Sequence, residues 1–141
     1  MRLETAQFLD IARNMLARGL RMLEADLIED TGRAAYLTAF HAAQALIHER
    51  ENRTLKTHRG VQSEFSKLIR DDTSIPADLR GFVSRAYAFK TIADYDPLTS
   101  VPPTEEDARV ALETAGRFVD EIVRLVGPLA VASDTTDDPK P

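Results

Sequence analysis

Between Arg33 and Arg50 the chain reads RAAYLTAFHAAQALIHER, a stretch with no glycine and no proline. Tyr36, Phe40, Ala43 and Ile47 recur at helical spacing and form one stripe, which Leu37 and Leu46 widen. The alanines let neighbouring helices come close, while Tyr36 and Phe40 fill the space between them. Such a helix belongs at the centre of a bundle, and the remaining segments must pack around it. Along its flank runs a polar line of Arg33, His41, Gln44 and His48. One edge of this buried helix is therefore expected to face a groove or a partner.

The rest of the chain reads as helices that can surround it. From Leu3 to Leu23, Phe8, Met15 and Met22 recur every seven residues, as do Leu9, Leu16 and Leu23. That double seam is wide enough for two neighbours. Gly19, inside it, costs about 1 kcal/mol against Ala if exposed, so a close approach is expected there. Asp26 and Glu29 have the spacing of a capping box, which starts the central helix near Leu27 and carries it to about Glu49. Thr31 is the competing cap, one turn later.

Glu51 to Lys56 breaks the periodicity, and Thr57 then caps a third helix to about Ile69, with Val61, Phe65, Leu68 and Ile69 inward. Pro76 suits the first turn of a fourth helix, where its missing N–H is no loss. Leu79, Phe82, Val83, Ala86 and Phe89 form its core face, and Pro97 ends it within TIADYDP. Thr104 caps the fifth helix, with Glu105, Glu106 and Asp107 at the positive end of its dipole. Its stripe is Ala111, Ala115, Phe118, Ile122 and Leu125, and Gly127-Pro128 stops it. The expected fold is an all-α antiparallel up-and-down bundle of four core helices plus one. Residues 1–127 form the domain and 128–141 an acidic disordered tail.

Composition removes several classes of function. With no cysteine there is no disulfide, thiol nucleophile or thiolate zinc site. No apolar run approaches the roughly 20 residues that span a bilayer, and the first residues lack a signal peptide's apolar core. No membrane association and a cytoplasmic location are expected. His41, His48 and His58 lack the spacing of a local metal motif, so neither a metal nor another cofactor is expected. A net charge of −5 opposes bulk capture of nucleic acid, but the charge is polarised. Residues 49–70 hold six Lys or Arg against three acids, whereas nine acids face four bases after Val101.

RAAYLTAFHAAQALI, then KTHRGVQSEF, then a helix ending in ADYDP, together resemble the HEPN domain family, in its branch of small stand-alone bacterial and archaeal proteins. The resemblance runs from about Leu3 to Val126. It implies a helical bundle that dimerises around a groove and often acts with a minimal nucleotidyltransferase as a toxin–antitoxin pair. It also implies either metal-independent RNA cleavage or RNA binding without cleavage. The family's nuclease signature is an arginine followed four to six residues later by a histidine. Here Lys90 stands at the arginine's place and Asp94 at the histidine's.

That departure matters chemically. Cleavage through the ribose 2′-hydroxyl needs a proton acceptor, a charge on the phosphate and a proton donor, and histidine suits the proton transfers near neutral pH. Arginine grips phosphate with two parallel hydrogen bonds, whereas lysine is a point charge. Lys90 supplies part of the charge; Asp94 would repel phosphate, and its ordinary role four residues from Lys90 is an ion pair. His58 is the substitute, in the basic stretch Lys56, Thr57, His58 and Arg59 at a helix start. The ordinary alternative is that Thr57 caps the helix and His58 packs against it.

Arg33, His41 and Tyr95 complete the candidate RNA- or nucleotide-binding set. Arg33 has a structural alternative in pairing with Asp94 or Glu29, His41 in serving the core, and Tyr95 in packing under the Pro97 loop. The expectation is a non-catalytic homodimeric module that binds a nucleotidyltransferase partner and RNA or nucleotide. The alternative is a divergent ribonuclease using His58 or His41 with Lys90 or Arg33.

Overall fold

The helix predicted to be central is central. The computed structural model describes residues 1–93 and 101–127, the side chains of residues 92 and 93 excepted. Its elements are α1 (Leu3–Glu24), α2 (Ile28–Glu51), α3 (His58–Ile69), α4 (Ala77–Arg80), α5 (Phe82–Ala93) and α6 (Glu105–Val126). Helix α2 packs against α1, α3, α5 and α6, and α1 also meets α6. The molecule is an all-α antiparallel bundle, as the periodicities indicated. The expected tail, residues 128–141, lies outside the described residues.

Burial follows the predicted stripes. Tyr36, Phe40, Ala43, Leu46 and Ile47 are buried on α2, Val61, Phe65 and Ile69 on α3, and Ala111, Ala115, Phe118 and Ile122 on α6. Phe118 joins three elements, its ring 5.4 Å from that of Phe65 and 5.9 Å from that of Phe82. Both seams of α1 are used: Leu9 is buried in the core, Phe8, Leu16 and Leu23 pack against it, and Met15 and Met22 line a groove beside α2. Gly19 marks the closest approach of α1, where an added Cβ would stand 3.2 Å from Ala34 Cβ and closer than 3 Å to Leu112.

The central helix starts near Leu27 as expected, but its cap differs, and so does the fourth helix. Asp26 forms no capping box; it adopts φ 64°, in the left-handed region, and Leu27 is the N-cap of α2 without a side-chain cap bond. An Asp tolerates this conformation, and the turn it makes reverses the chain from α1 into α2. Thr31 is no cap either: it is buried and donates its hydroxyl to Leu27 O at 2.8 Å. The fourth helix is two pieces. Pro76 precedes the single turn α4 as its N-cap, and Gly81 separates α4 from α5. Arg80 closes the preceding turn by donating to Ile69 O at 3.1 Å and to Asp72 O. By contrast Thr57 accepts from Gly60 N at 3.0 Å, and Thr104 with Asp107 forms a complete capping box.

Candidate functional site

Three helices bring their aromatic residues to one point. His58 is the first residue of α3, fixed there by the Thr57 cap immediately before it. Its imidazole sits among Phe40 at 5.1 Å, Tyr87 at 5.3 Å and Tyr36 at 5.5 Å between ring centroids. Tyr36 and Tyr87 are themselves edge-to-face at 5.3 Å. The Tyr36 hydroxyl lies 2.5 Å from His58 Nδ1, a short hydrogen bond between α2 and α3. Tyr36 is wholly buried, whereas His58 and Tyr87 are half-exposed at the rim of the cluster.

The electrostatics follow from this packing. Burial, and beside it the positive charge of Lys90 on α5, hold the His58 pKa below its ordinary value of 6.5. The ring is therefore neutral at physiological pH. Burial pushes the Tyr36 phenol up to about 12; a hydrogen bond with the Gln62 side chain pulls it back, and Tyr87 adds to the rise. The hydroxyl keeps its proton across the whole physiological range.

Around this rim the basic residues sort into two groups. Arg53 is engaged by Glu51 at 2.8 Å and Glu64 at 3.4 Å, and Lys67 lies 3.6 Å from Glu64. Lys56 and Arg59 are exposed and make no ion pair among the described residues. Arg53 and Lys67 are thus engaged within the protein, whereas Lys56 and Arg59 flank His58. Thr57 serves as a cap, so its side-chain oxygen is committed to the backbone of α3.

The polar flank of α2 does not form one edge. His41 is half-buried beside Phe40, 5.4 Å between rings, and its Nδ1 lies 2.8 Å from Gln44 Oε1. Gln44 is itself buried and donates from Nε2 to Leu55 O at 2.8 Å, tying down the loop that leads to His58. His48 is buried elsewhere, at the start of α1, with Nε2 3.4 Å from Glu4 Oε1. There Glu49 accepts from Arg2 N at 3.0 Å and Thr5 Oγ1 at 2.9 Å, so this end of α2 is a structural latch. The expectation that Gln44 and His48 line a groove is corrected: both serve packing between elements.

Arg33 is exposed and lines a separate groove between α1 and α2, with Met15, Arg18, Met22 and Asp30. It pairs with neither Glu29 nor any other acid among the described residues. Asp94 and Tyr95 lie outside the described residues. Of the residues expected to meet, Lys90 is close enough for its charge to act on His58, Lys56 and Arg59 flank His58 along the chain, and His41 lies beyond the Phe40 ring. Tyr36 and Tyr87 were read only as bulk or not at all. A buried tyrosine needs a partner for its hydroxyl, so the sequence posed the question for Tyr36 without identifying His58 as the answer.

Among the described residues no group of three or more His, Asp or Glu is arranged to hold a metal ion. No helix among them is long and apolar enough to cross a membrane. In comparisons with known proteins, a family model described as "HEPN domain" matches residues 5–126. A protein of Methanocaldococcus jannaschii named "Putative toxin MJ0605" is 30% identical over 122 residues, covering 86% of this chain and 88% of that protein.

Proposed function

Because the chain belongs to the HEPN domain family, we propose that it is a non-catalytic HEPN module, the toxin-like half of a two-component pair. In this reading it is a homodimer that acts with a minimal nucleotidyltransferase and holds RNA or nucleotide phosphate at the His58 rim. The observation that carries the reading is a half-buried His58 under the influence of the Lys90 charge and flanked by exposed Lys56 and Arg59. Lysines and one arginine supply sequence-independent attraction for phosphate. The half-exposed rings of His58 and Tyr87 add a surface on which a base can stack. The name of the M. jannaschii protein supports the toxin side of the pair.

Lys90 replaces the arginine of the nuclease signature, and that favours holding over cutting. A ribonuclease reading has one observation in its favour: the Lys90 charge reaches His58, as a divergent site would require. The two readings separate in one experiment. Purified protein is titrated against a labelled single-stranded RNA in EDTA, with integrity of the RNA followed in the same samples. The expected result is salt-dependent binding without cleavage. Lys90→Ala and Arg59→Ala should each reduce the slope of log affinity against log salt by about 0.7. Cleavage by the parent that vanishes in both His58→Ala and Lys90→Ala, with folding intact, would overturn the proposal in favour of the ribonuclease.

A further inference from the structure

The wholly buried Tyr36 and the half-exposed His58 share a hydrogen bond that joins the core of the bundle to its surface site. We propose that Tyr36 is a positioning residue: by donating its hydroxyl proton to His58 Nδ1, it fixes the imidazole as the Nε2–H tautomer. His58 then presents a neutral hydrogen-bond donor to a bound phosphate, not a bare nitrogen able to take a proton from a ribose hydroxyl. The consequence for phosphate rests on the binding reading above; the tautomer itself does not.

The geometry supports this step by step. A neutral imidazole has one nitrogen that donates and one that accepts, and the bond made by one decides the state of the other. Tyr36 has a single hydroxyl hydrogen and no access to solvent, so that hydrogen requires an acceptor in the protein. Nδ1 stands 2.5 Å from the oxygen. Phe40, Tyr87 and Tyr36 pack around the imidazole and oppose a ring flip that would exchange its nitrogens. Nε2 is on the other edge of the ring from the Tyr36 hydroxyl.

The neighbouring charges favour the same state. Lys90 and Tyr87 approach from α5, Tyr36 and the hydrogen-bonded pair His41–Gln44 belong to α2, and Lys56 and Arg59 flank His58 in its own segment. No carboxylate among the described residues is paired with His58, so a second proton on Nδ1 would reverse the Tyr36 bond and add positive charge near Lys90 with no carboxylate to offset it. For His58 to act as a base through Nε2, the proton would have to move to Nδ1, and the Tyr36 hydroxyl would lose His58 as its acceptor and have to turn its hydrogen toward the Gln62 side chain.

The test reads the tautomer directly and without RNA. In long-range proton–nitrogen correlation spectra of 15N-labelled protein at pH 7.5, protonated and bare imidazole nitrogens have well-separated shifts. The expected parent spectrum shows His58 with Nε2 protonated and Nδ1 bare. Tyr36→Phe should move both nitrogens toward the averaged values of mixed tautomers and weaken single-stranded RNA binding about tenfold, the loss of one oriented hydrogen bond to a charged group. Tyr87→Phe, which keeps the ring and removes the other hydroxyl, should leave the tautomer as in the parent. A parent His58 with Nδ1 protonated overturns the proposal, and so does an unchanged tautomer in Tyr36→Phe. The parent spectrum decides even if Tyr36→Phe does not fold. The expected tautomer in a protein that binds no RNA supports the positioning role and sinks the binding reading instead.

Discussion

His58 and Tyr36 are two titratable groups whose protonation the fold biases, and both biases oppose charge. The His58 pKa is lowered by burial and by Lys90, so folding favours the neutral ring. The stability this contributes is fully present above pH 6.5 and is lost as the pH falls through the lowered folded value, because the unfolded chain takes up the proton first. Tyr36 is the mirror case: with its pKa raised from 10.0 to about 12, its contribution is present below pH 10 and disappears as the pH rises toward 12. Thermal melts from pH 7.5 to 5.5 should therefore show a falling midpoint in the parent and a flatter profile in His58→Gln. The difference between the two curves isolates His58 from carboxylates, which titrate at lower pH. Parallel curves would show that the fold does not bias this histidine. At this scale the sequence located His58 and Lys90 through residue chemistry, but not Tyr36, whose spacing marks it equally well as plain core.

At the scale of helices, two glycines separate tight contact from spare room. Gly32 on α2 lies directly under Phe89 of α5; an added Cβ would fall 2.9 Å from the ring's Cγ and nearer still to Cδ1. Gly32→Ala should destabilise by about 1–3 kcal/mol through overpacking. It should also displace α5 next to Lys90, so that the His58 resonances shift. Gly116 on α6 differs: a Cβ there would stand 3.7 Å from Leu16 Cδ2, an ordinary contact. Gly116→Ala should be neutral or stabilise by up to about 1 kcal/mol, since alanine is the better helix former. Urea unfolding of the two variants checks both, and equal effects would mean that α5 does not press on α2 as described. The sequence identified the close approach at Gly19, because that glycine interrupts a strong amphipathic helix. It did not identify Gly32, whose partner lies 57 positions away in the chain. Nor did it separate α4 from α5, since Gly81 continues an apolar pattern that reads as one helix.

For the molecule as a whole, Phe118 is where α3, α5 and α6 converge, and it is almost fully buried. Phe118→Ala should cost about 3–5 kcal/mol, a large share of the ~5–15 kcal/mol that holds a domain of this size together. Because α3 and α5 carry His58 and Lys90, the same variant at temperatures below its melt should lose RNA binding in proportion to the unfolded fraction. Circular dichroism and binding measured on the same samples would show whether the site is as cooperative with the core as the packing implies. Binding that survives global unfolding would mean the basic stretch at Lys56–Arg59 acts as an unstructured polycation.

What the sequence determined by itself is what repeats locally: helical periodicity, the Thr57 and Thr104 caps, the alanine-rich centre and the absence of thiol chemistry. These depend on neighbours within a turn or two, so they are legible in order along the chain. The tertiary structure decided which side chains share a point in space. It set His58 against Tyr36 and within the influence of the Lys90 charge, sent His48 to Glu4, left Arg33 in another groove and engaged Arg53 and Lys67 internally. Each of these depends on how far helices rotate about their axes when they pack. A polar residue on a flank can then face a groove, a neighbouring helix or solvent with little change in the pattern that placed it there.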